Sequence, residues 1–257
     1  MTRPENWAPD MSGLGFDRDA VLVVTGAASG IGRAAAVTAA RAGVHVAAWD
    51  VDKDGCESVV EEITAAGGRA HLAIVDVADT AAVEGAWRQA AEAGPCRYLF
   101  NNAGPASVTD APIIDSVSRA IGAMINVTES WLTVCPEDAE SVVFTSSIVG
   151  TWWGGSSLVQ SFYPVAKGAI ASYSRHLAVR EGGRPRANTI APSYTLTPRT
   201  ESWINLPGYQ EQIRRNPMNR PALAQEPANV ACFLLSPAAS FVNGTLIAVD
   251  GGLVAAS

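Results

Sequence analysis

The sequence predicts a single α/β domain built on a doubly wound, seven-stranded parallel sheet with helices on both faces. Three observations carry that expectation. Apolar strand-like runs alternate with helical stretches over nearly the whole chain, and such alternation folds into right-handed β-α-β units. Glycines stand where helix C-caps belong, at Gly43, Gly67-Gly68 and Gly94-Pro95. The first apolar run passes straight into a glycine-rich turn, and an alanine-rich helical pattern follows.

Residues 20–24 form the first apolar, β-branched run, and the helical stretch 31–42 after the glycine turn stops at Gly43. A second strand is expected at 44–49, closing on Asp50, and a helix over 53–66 stops at Gly67-Gly68. Strand 70–75 and helix 80–93 follow, the helix ending at Gly94-Pro95. Strand 98–100 leads to a long helix over 116–134, then strand 141–145 and helix 164–180. Strand 186–190, helix 226–235 and strand 246–249 complete the pattern. The segment 192–220 breaks the rhythm with Pro198, Pro207, Gly208 and Pro217, and reads as an irregular lid or substrate loop at a strand's carboxyl end. No linker or repeat divides residues 20–257. Residues 1–19 are polar, lack a signal peptide's basic start and apolar middle, and read as an arm.

Composition excludes several classes of function. The 257 residues suffice for one self-sustaining core. A net charge of −7, from 18 basic and 25 acidic residues, argues against nucleic acid as a partner. No apolar run approaches the ~18 residues of a membrane span. Cys56, Cys96, Cys135 and Cys232 are scattered without a C-x-x-C pair, as for buried free thiols in the cytoplasm. His45, His71 and His176 are equally scattered and read as structural or surface residues, so no metal site is expected.

The chemistry begins at the glycine turn. Unpaired N–H groups at a helix start carry partial positive charge and bind phosphate. Gly26, Gly30 and Gly32 suit a loop where a Cβ would block a ligand or crowd the turn. A carboxylate roughly 20 residues on, here Asp50, accepts hydrogen bonds from an adenosine ribose.

The second centre is Tyr163-Pro-Val-Ala-Lys167, whose phenol and ammonium share a helix face at i and i+4. Using a phenol of pKa near 10 as an acid/base at neutral pH asks for about 4 kcal/mol. A cation ~4 Å away contributes about that much at an effective dielectric of 20. Pro164 is tolerated in a helix's first turn, which suits Ser161 as N-cap; a helix starting after Tyr163 would align the pair less well. Ser146 and Ser147 end the strand before it, where a hydroxyl can meet a substrate carbonyl. The amides of Asn101 and Asn102 can tie strands or contact a cofactor. Asn126, a polar residue inside an apolar helix, faces solvent or has a specific partner.

Together these residues resemble the short-chain dehydrogenase/reductase family, from about residue 20 to 252. Thr25-Gly-Ala-Ala-Ser-Gly-Ile-Gly32 is similar to its TGxxxGIG loop, Asn101-Asn-Ala-Gly104 to its NNAG signature, and Asp76-Val77 to its adenine-contacting pair. Asn126, Ser147, Tyr163 and Lys167 fall at its catalytic tetrad; Ser147 is preferred to Ser146 because the family serine stands three residues before a glycine, here Gly150. Arg186-Ala-Asn188, Pro192 and Asp250-Gly-Gly252 match its later strands. Three departures stand out: Ser193 where the family has glycine, Pro164 after the tyrosine, and a longer Ser147-to-Tyr163 interval carrying Thr151-Trp-Trp-Gly-Gly-Ser-Ser157.

The resemblance implies a Rossmann-type fold and a cofactor track along Gly26, Ser29, Gly30, Ile31, Gly32, Asp50, Asp76, Val77, Asn102, Ala103, Gly104, Tyr163, Lys167, Pro192, Thr195 and Thr197. It implies hydride transfer between a nicotinamide and a secondary alcohol or ketone. Tyr163 would be the general acid/base, Ser147 would polarise the substrate oxygen, Lys167 would lower the phenol pKa and hold ribose, and Asn126 would hold a relay water. Ser29 and Asp50-Val51 offer no cation to a 2′-phosphate, so NAD is expected over NADP. Trp152, Trp153, Leu158, Tyr194, Trp203, Ile204 and Leu206 suggest an apolar or cyclic substrate. A homotetramer is expected. The alternatives are a 3-oxoacyl-carrier-protein reductase, which the acidic balance and Asp50 disfavour, and a non-catalytic dinucleotide sensor, which would be expected to lose Tyr163 or Lys167. An enoyl reductase would space that pair more widely.

Overall fold

The structure, a computed structural model, describes residues 11–104, 109–154 and 158–256. In chain order the elements are β1 (Val21–Thr25), α1 (Gly30–Arg41), β2 (His45–Asp50), α2 (Lys53–Ala65), β3 (Ala70–Ile74), α3 (Thr80–Glu92), β4 (Tyr98–Asn101), α4 (Ile113–Val134), β5 (Ser141–Thr145) and α5 (Phe162–Arg180). There follow β6 (Arg186–Pro192), β7 (Thr195–Leu196), α6 (Pro198–Ile204), α7 (Pro207–Ile213), β8 (Ala222–Leu223), α8 (Gln225–Leu235) and β9 (Leu246–Val249). The main sheet runs β3-β2-β1-β4-β5-β6-β9. Every neighbouring pair in it is parallel. The winding reverses between β1 and β4, and a crevice opens beyond the strand ends at such a switch point.

Period-2 alternation sorts β1 between two cores. Leu22 and Val24 join the layer with Ala35, Ala39, Val59, Ala228 and Ala231, on α1, α2 and α8. Val21 and Val23 join Trp87, Val127, Trp131 and Leu177, on α3, α4 and α5. The alanines of α1 let that helix lie close to the sheet and to α8. On the opposite face Trp49, Trp87 and Trp131 form a column with ring centroids 4.7 and 5.8 Å apart. Trp87 and Trp131 donate to the carbonyls of Val127 and Cys96, so their burial strands no donor.

Arg186, noted above only as part of a motif, has a clear structural task. Its guanidinium donates to the carbonyls of Leu234, Leu235, Ser236 and Val242 at 2.9–3.2 Å. These include acceptors at the end of α8 that a helix leaves unpaired.

The structure corrects the expectation of an irregular 192–220 segment. Two short helices, α6 and α7, and a two-stranded ribbon of β7 and β8 organise it. The prolines read as breakers are starters: Pro198 and Pro207 occupy the first turns of α6 and α7, where a missing N–H costs nothing. Thr197 caps α6 in a reciprocal box with Thr200. Helix α4 begins at Ile113, directly after Pro112, and not at 116; α5 begins at Phe162 and not at 164. Of the N-terminal arm, residues 11–19 pack on the body: Phe16 is buried against Tyr98 at 5.1 Å, and Asp17 pairs with Arg97. Residues 1–10 lie outside the described residues.

Two of the scattered histidines meet. His71 Nδ1 and His45 Nε2 lie 3.0 Å apart across β3 and β2, and burial lowers both pKa values, helped by the Arg69 charge at His45 and by His45 at His71. An unfolded histidine titrates near 6.5. Below that pH the unfolded chain binds protons that the folded pair refuses, so stability falls as pH drops toward the folded values. Replacing His71 with Leu is expected to flatten the decline of Tm between pH 7 and 5; an equal decline in both proteins would reject the pair as its source.

Candidate active site

The carboxyl ends of the central strands border a cavity of about 640 Å³ that runs from the glycine turn to the 192–220 segment. It is lined by every residue of the expected track and tetrad except Gly32 and Asn126.

At one end, Ser29 stands in extended conformation before α1, and its side chain makes no capping bond. Gly32 lies beneath the turn. A Cβ there would fall 1.9 Å from the Gly26 carbonyl oxygen, so the close approach admits only glycine. Asp50, at the end of β2, is oriented by three N–H donors: Ala28 on Oδ2, Val51 and Asp52 on Oδ1. Asp76 is held below the usual carboxylate range by the Ala78 N–H and by Arg119, whose guanidinium lies 2.7 Å away. The residues present suit a dinucleotide: a glycine cradle with a helix start for the pyrophosphate, and a positioned carboxylate for a ribose.

The asparagines divide their work. Asn101 is buried and donates to Met124 O and Thr128, tying β4 to α4. Asn102 donates to the Thr25 carbonyl and accepts from Thr145, joining β1, β4 and β5 under the cleft. Thr25 Oγ1 in turn accepts from the N–H groups of Asn102 and Ala103.

At the other end the two serines separate. Ser146 donates to the Lys167 carbonyl at 2.6 Å and belongs to the scaffold. Ser147 lines the cleft together with Tyr163, and its hydroxyl accepts from the Val149 N–H at 3.2 Å. Its hydroxyl also lies 3.4 Å from the Pro192 carbonyl. Ser161 occupies the N-cap position of α5, so Phe162, Tyr163 and Pro164 make its first turn and Tyr163 shares a face with Lys167. Gly150 makes this possible: at φ +89° it passes so close to Pro164 that a Cβ would lie 2.1 Å from that carbonyl oxygen.

Electrostatics differ from the sequence expectation. Lys167 is buried, donates to the Thr145 carbonyl at 2.8 Å, and stands 5.7 Å from the Tyr163 ring centroid. Burial, then the Arg199 charge, lower its pKa to about 8. The phenol pKa is raised by burial, which outweighs the Ser147 hydrogen bond and the Arg199 charge. Desolvation thus outweighs the groups that favour ionisation, and the neutral phenol is favoured. Asn126 donates to the Val77 carbonyl at 3.0 Å, pinning the loop after β3 to α4.

The 192–220 segment closes over this end. Thr197 packs on Gly30: a Cβ at Gly30 would lie 3.2 Å from Thr197 Cγ2. Trp153, Tyr194, Tyr209 and Trp203 form a chain of ring contacts at 6.5, 6.0 and 4.3 Å. Tyr209, Arg119 and Arg199 line the cavity and were not singled out in the sequence; no local pattern marks them. Conversely, Trp152 and Leu206 are about half exposed and Ile204 is buried inside the segment, and none of the three lines the cavity. Leu158 does not line it either and accepts from Tyr209. Gly155 to Ser157 of the insertion lie outside the described residues. Among the described residues no cluster of metal-ligating side chains occurs, and no helix is long and apolar enough to cross a membrane.

Known proteins resemble this chain in sequence and fold. A family model described as enoyl-(acyl carrier protein) reductase matches residues 26–254. Cis-4-hydroxycyclohexanecarboxylate dehydrogenase of Sinomonas cyclohexanicum is 35% identical over 91% of this chain and 96% of its own. Levodione reductase of Leifsonia aquatica is 33% identical, covering 93% of this chain and 95% of that one. A solved levodione reductase superposes with a TM-score of 0.84 at 33% identity, covering 94% and 100% of the two chains. A structure from Beutenbergia cavernae, described as a candidate NAD(P)-dependent gluconate 5-dehydrogenase with bound NADP, gives 0.83 at 32% identity, covering 94% and 99%. With this fold, this cleft and these relatives, the chain belongs to the short-chain dehydrogenase/reductase family, oxidoreductases that act on CH–OH and C=O groups with a nicotinamide dinucleotide.

Proposed function

We propose that the protein is an NAD(H)-dependent enzyme interconverting a secondary alcohol and a ketone, with Tyr163 as general acid/base. The observation that carries this is that Ser147, Tyr163 and Lys167 line one end of a cleft whose other end is the glycine cradle. The Tyr163-to-Lys167 spacing, and relatives named for hydroxyl and keto substrates, favour this over enoyl reduction.

When bound, the nicotinamide dinucleotide supplies or accepts the hydride and, oxidised, brings a positive ring. The chain's own residues handle the oxygen and its proton. Ser147 and Tyr163 donate to the substrate oxygen, and Tyr163 releases its proton as negative charge develops there. Lys167 and Arg199 then stabilise the phenolate that burial alone disfavours. Asn126 Oδ1 accepts no bond among the described residues, which suits it to the relay water expected of it. The chain of Trp153, Tyr194, Tyr209 and Trp203 favours an apolar, cyclic substrate body. The 192–220 segment acts as its lid, and residues 20–257 as one catalytic unit.

NAD(H) is proposed over NADP(H) because Asp50, fixed by three N–H groups, suits a ribose diol and repels a 2′-phosphate. The nearby Arg33 is spent on Glu62 at 2.7 Å. The expected result is kcat/KM at least about tenfold higher with NAD than with NADP, narrowed by Asp50→Asn; one charge contact is worth about that factor. A preference for NADP would overturn the role given to Asp50. A homotetramer is also proposed; exposed Val165 and Val179 on α5, Phe233 on α8 and the fully exposed Phe241 offer it apolar surface. Four free, buried thiols accord with a cytoplasmic setting.

A further inference from the structure

Charge is unevenly divided along the cleft. Its acidic groups, Asp50, Asp52 and Asp76, gather where β2 and β3 end. Its basic groups are Arg119, Lys167 and Arg199. Arg119 is paired with Asp76, and the buried Lys167 donates one of its three N–H groups to the Thr145 carbonyl. Arg199 differs. It opens the first turn of α6, is exposed, and its one partner among the described residues is the Gly104 carbonyl, 3.2 Å from Nη1. A guanidinium has five N–H donors, so most of its capacity is open.

Its position is informative. Gly104 is also the residue whose Cβ would stand 3.6 Å from Lys167 Nζ, so Arg199 and Lys167 flank one stretch of backbone. The Arg199 charge is felt at both Tyr163 and Lys167. A chain of net charge −7 therefore places two neighbouring cations at this end of the cleft, neither in an ion pair with a carboxylate among the described residues. Two such cations repel each other, and an anion brought between lid and catalytic pair relieves the repulsion. The pyrophosphate of the cofactor is not the natural choice. The glycine cradle that suits it meets the lid at Thr197, whereas Arg199 turns toward Gly104 and the catalytic pair.

We infer that Arg199 is a specificity-determining residue that binds a carboxylate on the substrate, so that the enzyme acts on a cyclic hydroxy or oxo acid. The aromatic chain of Trp153, Tyr194, Tyr209 and Trp203 covers the ring, and the Arg199 guanidinium takes the acid in the paired geometry that suits a carboxylate. This inference rests on the alcohol/ketone reading above and names its substrate class.

The test compares an acid with its neutral ester. Calorimetry of the NADH complex measures binding of cyclohexanecarboxylate and its methyl ester. Kinetics with NAD measures kcat/KM for 4-hydroxycyclohexanecarboxylate and its methyl ester. The wild type is expected to prefer the acid in both, and Arg199→Met to lower the acid-to-ester ratio by about 10- to 100-fold, the worth of a charge-assisted contact. Arg199→Lys is expected to keep part of the preference. An unchanged ratio in Arg199→Met, a wild-type preference for the ester, or a rise in the NADH dissociation constant matching the loss of acid binding would each overturn the assignment. Turnover of neither alcohol would instead refute the alcohol/ketone reading, while calorimetry would still report whether Arg199 selects the acid.

Discussion

Replacing Tyr163 with phenylalanine is expected to lower kcat for secondary-alcohol oxidation by about 10²- to 10⁴-fold, the usual contribution of a positioned acid/base. NADH should still bind. The variant keeps the ring, and with it the packing beside Phe162 at 6.4 Å, and deletes only the phenol oxygen. The glycine cradle and Asp50 lie at the far end of the cleft and are untouched. Stopped-flow hydride transfer and NADH fluorescence titration measure the two effects separately. Undiminished kcat would remove Tyr163 from the mechanism. Joint loss of NADH binding would mean that the first turn of α5 had moved, which the phenylalanine is chosen to avoid.

The second large effect is expected from Gly32→Ala. The new Cβ would meet the Gly26 carbonyl oxygen at 1.9 Å, the Gly26 carbonyl carbon at 2.7 Å and Asn102 Nδ2 at 2.9 Å. None of these is the loose end of a flexible side chain. Two are backbone, and Asn102 is fixed by Thr25 and Thr145. Relief requires the turn to lift away from α1, at upwards of about 3 kcal/mol. The displaced turn is the one expected to hold the pyrophosphate, so NADH affinity should fall about 100-fold or more, the factor that corresponds to such a cost, and Tm should fall with it. Gly85→Ala is the control. Gly85 lies inside α3 with nothing within 4 Å of its ideal Cβ, so alanine there should raise stability by about 0.5–1 kcal/mol. Wild-type NADH affinity and Tm in Gly32→Ala would contradict the close approach.

Much of this was legible in the chain because it is local. A strand buried on both faces must be an unbroken apolar run, and a turn around a phosphate must lack Cβ atoms. Hence β1, the glycine turn and α1 stand out, as does Asp50 at the end of β2. The i, i+4 spacing of Tyr163 and Lys167 puts both on one face of any helix that contains them. The least legible part was 192–220, because proline carries two opposite meanings. At an interior position it breaks a helix and at the first turn it starts one, and only the capping of α6 by Thr197 shows which applies.

What the sequence by itself determined is the parallel α/β architecture, the nucleotide end of the cleft and the residue types of the reacting end. Each depends on side-chain period and spacing within one element or one turn. Tertiary structure decided what depends on contacts between elements. It gave Ser146 to the Lys167 carbonyl, Ser147 to the cleft lining, and Asn126 to the Val77 carbonyl. It reversed the expected direction of the Tyr163 pKa, because burial is a property of everything packed around a group and one lysine is only part of that. It also brought Arg199 to Gly104, 95 residues away in the chain, beside Lys167. No spacing rule reaches that far: the approach is set by the 192–220 segment folding back across the strand ends, which exist only once the sheet is built.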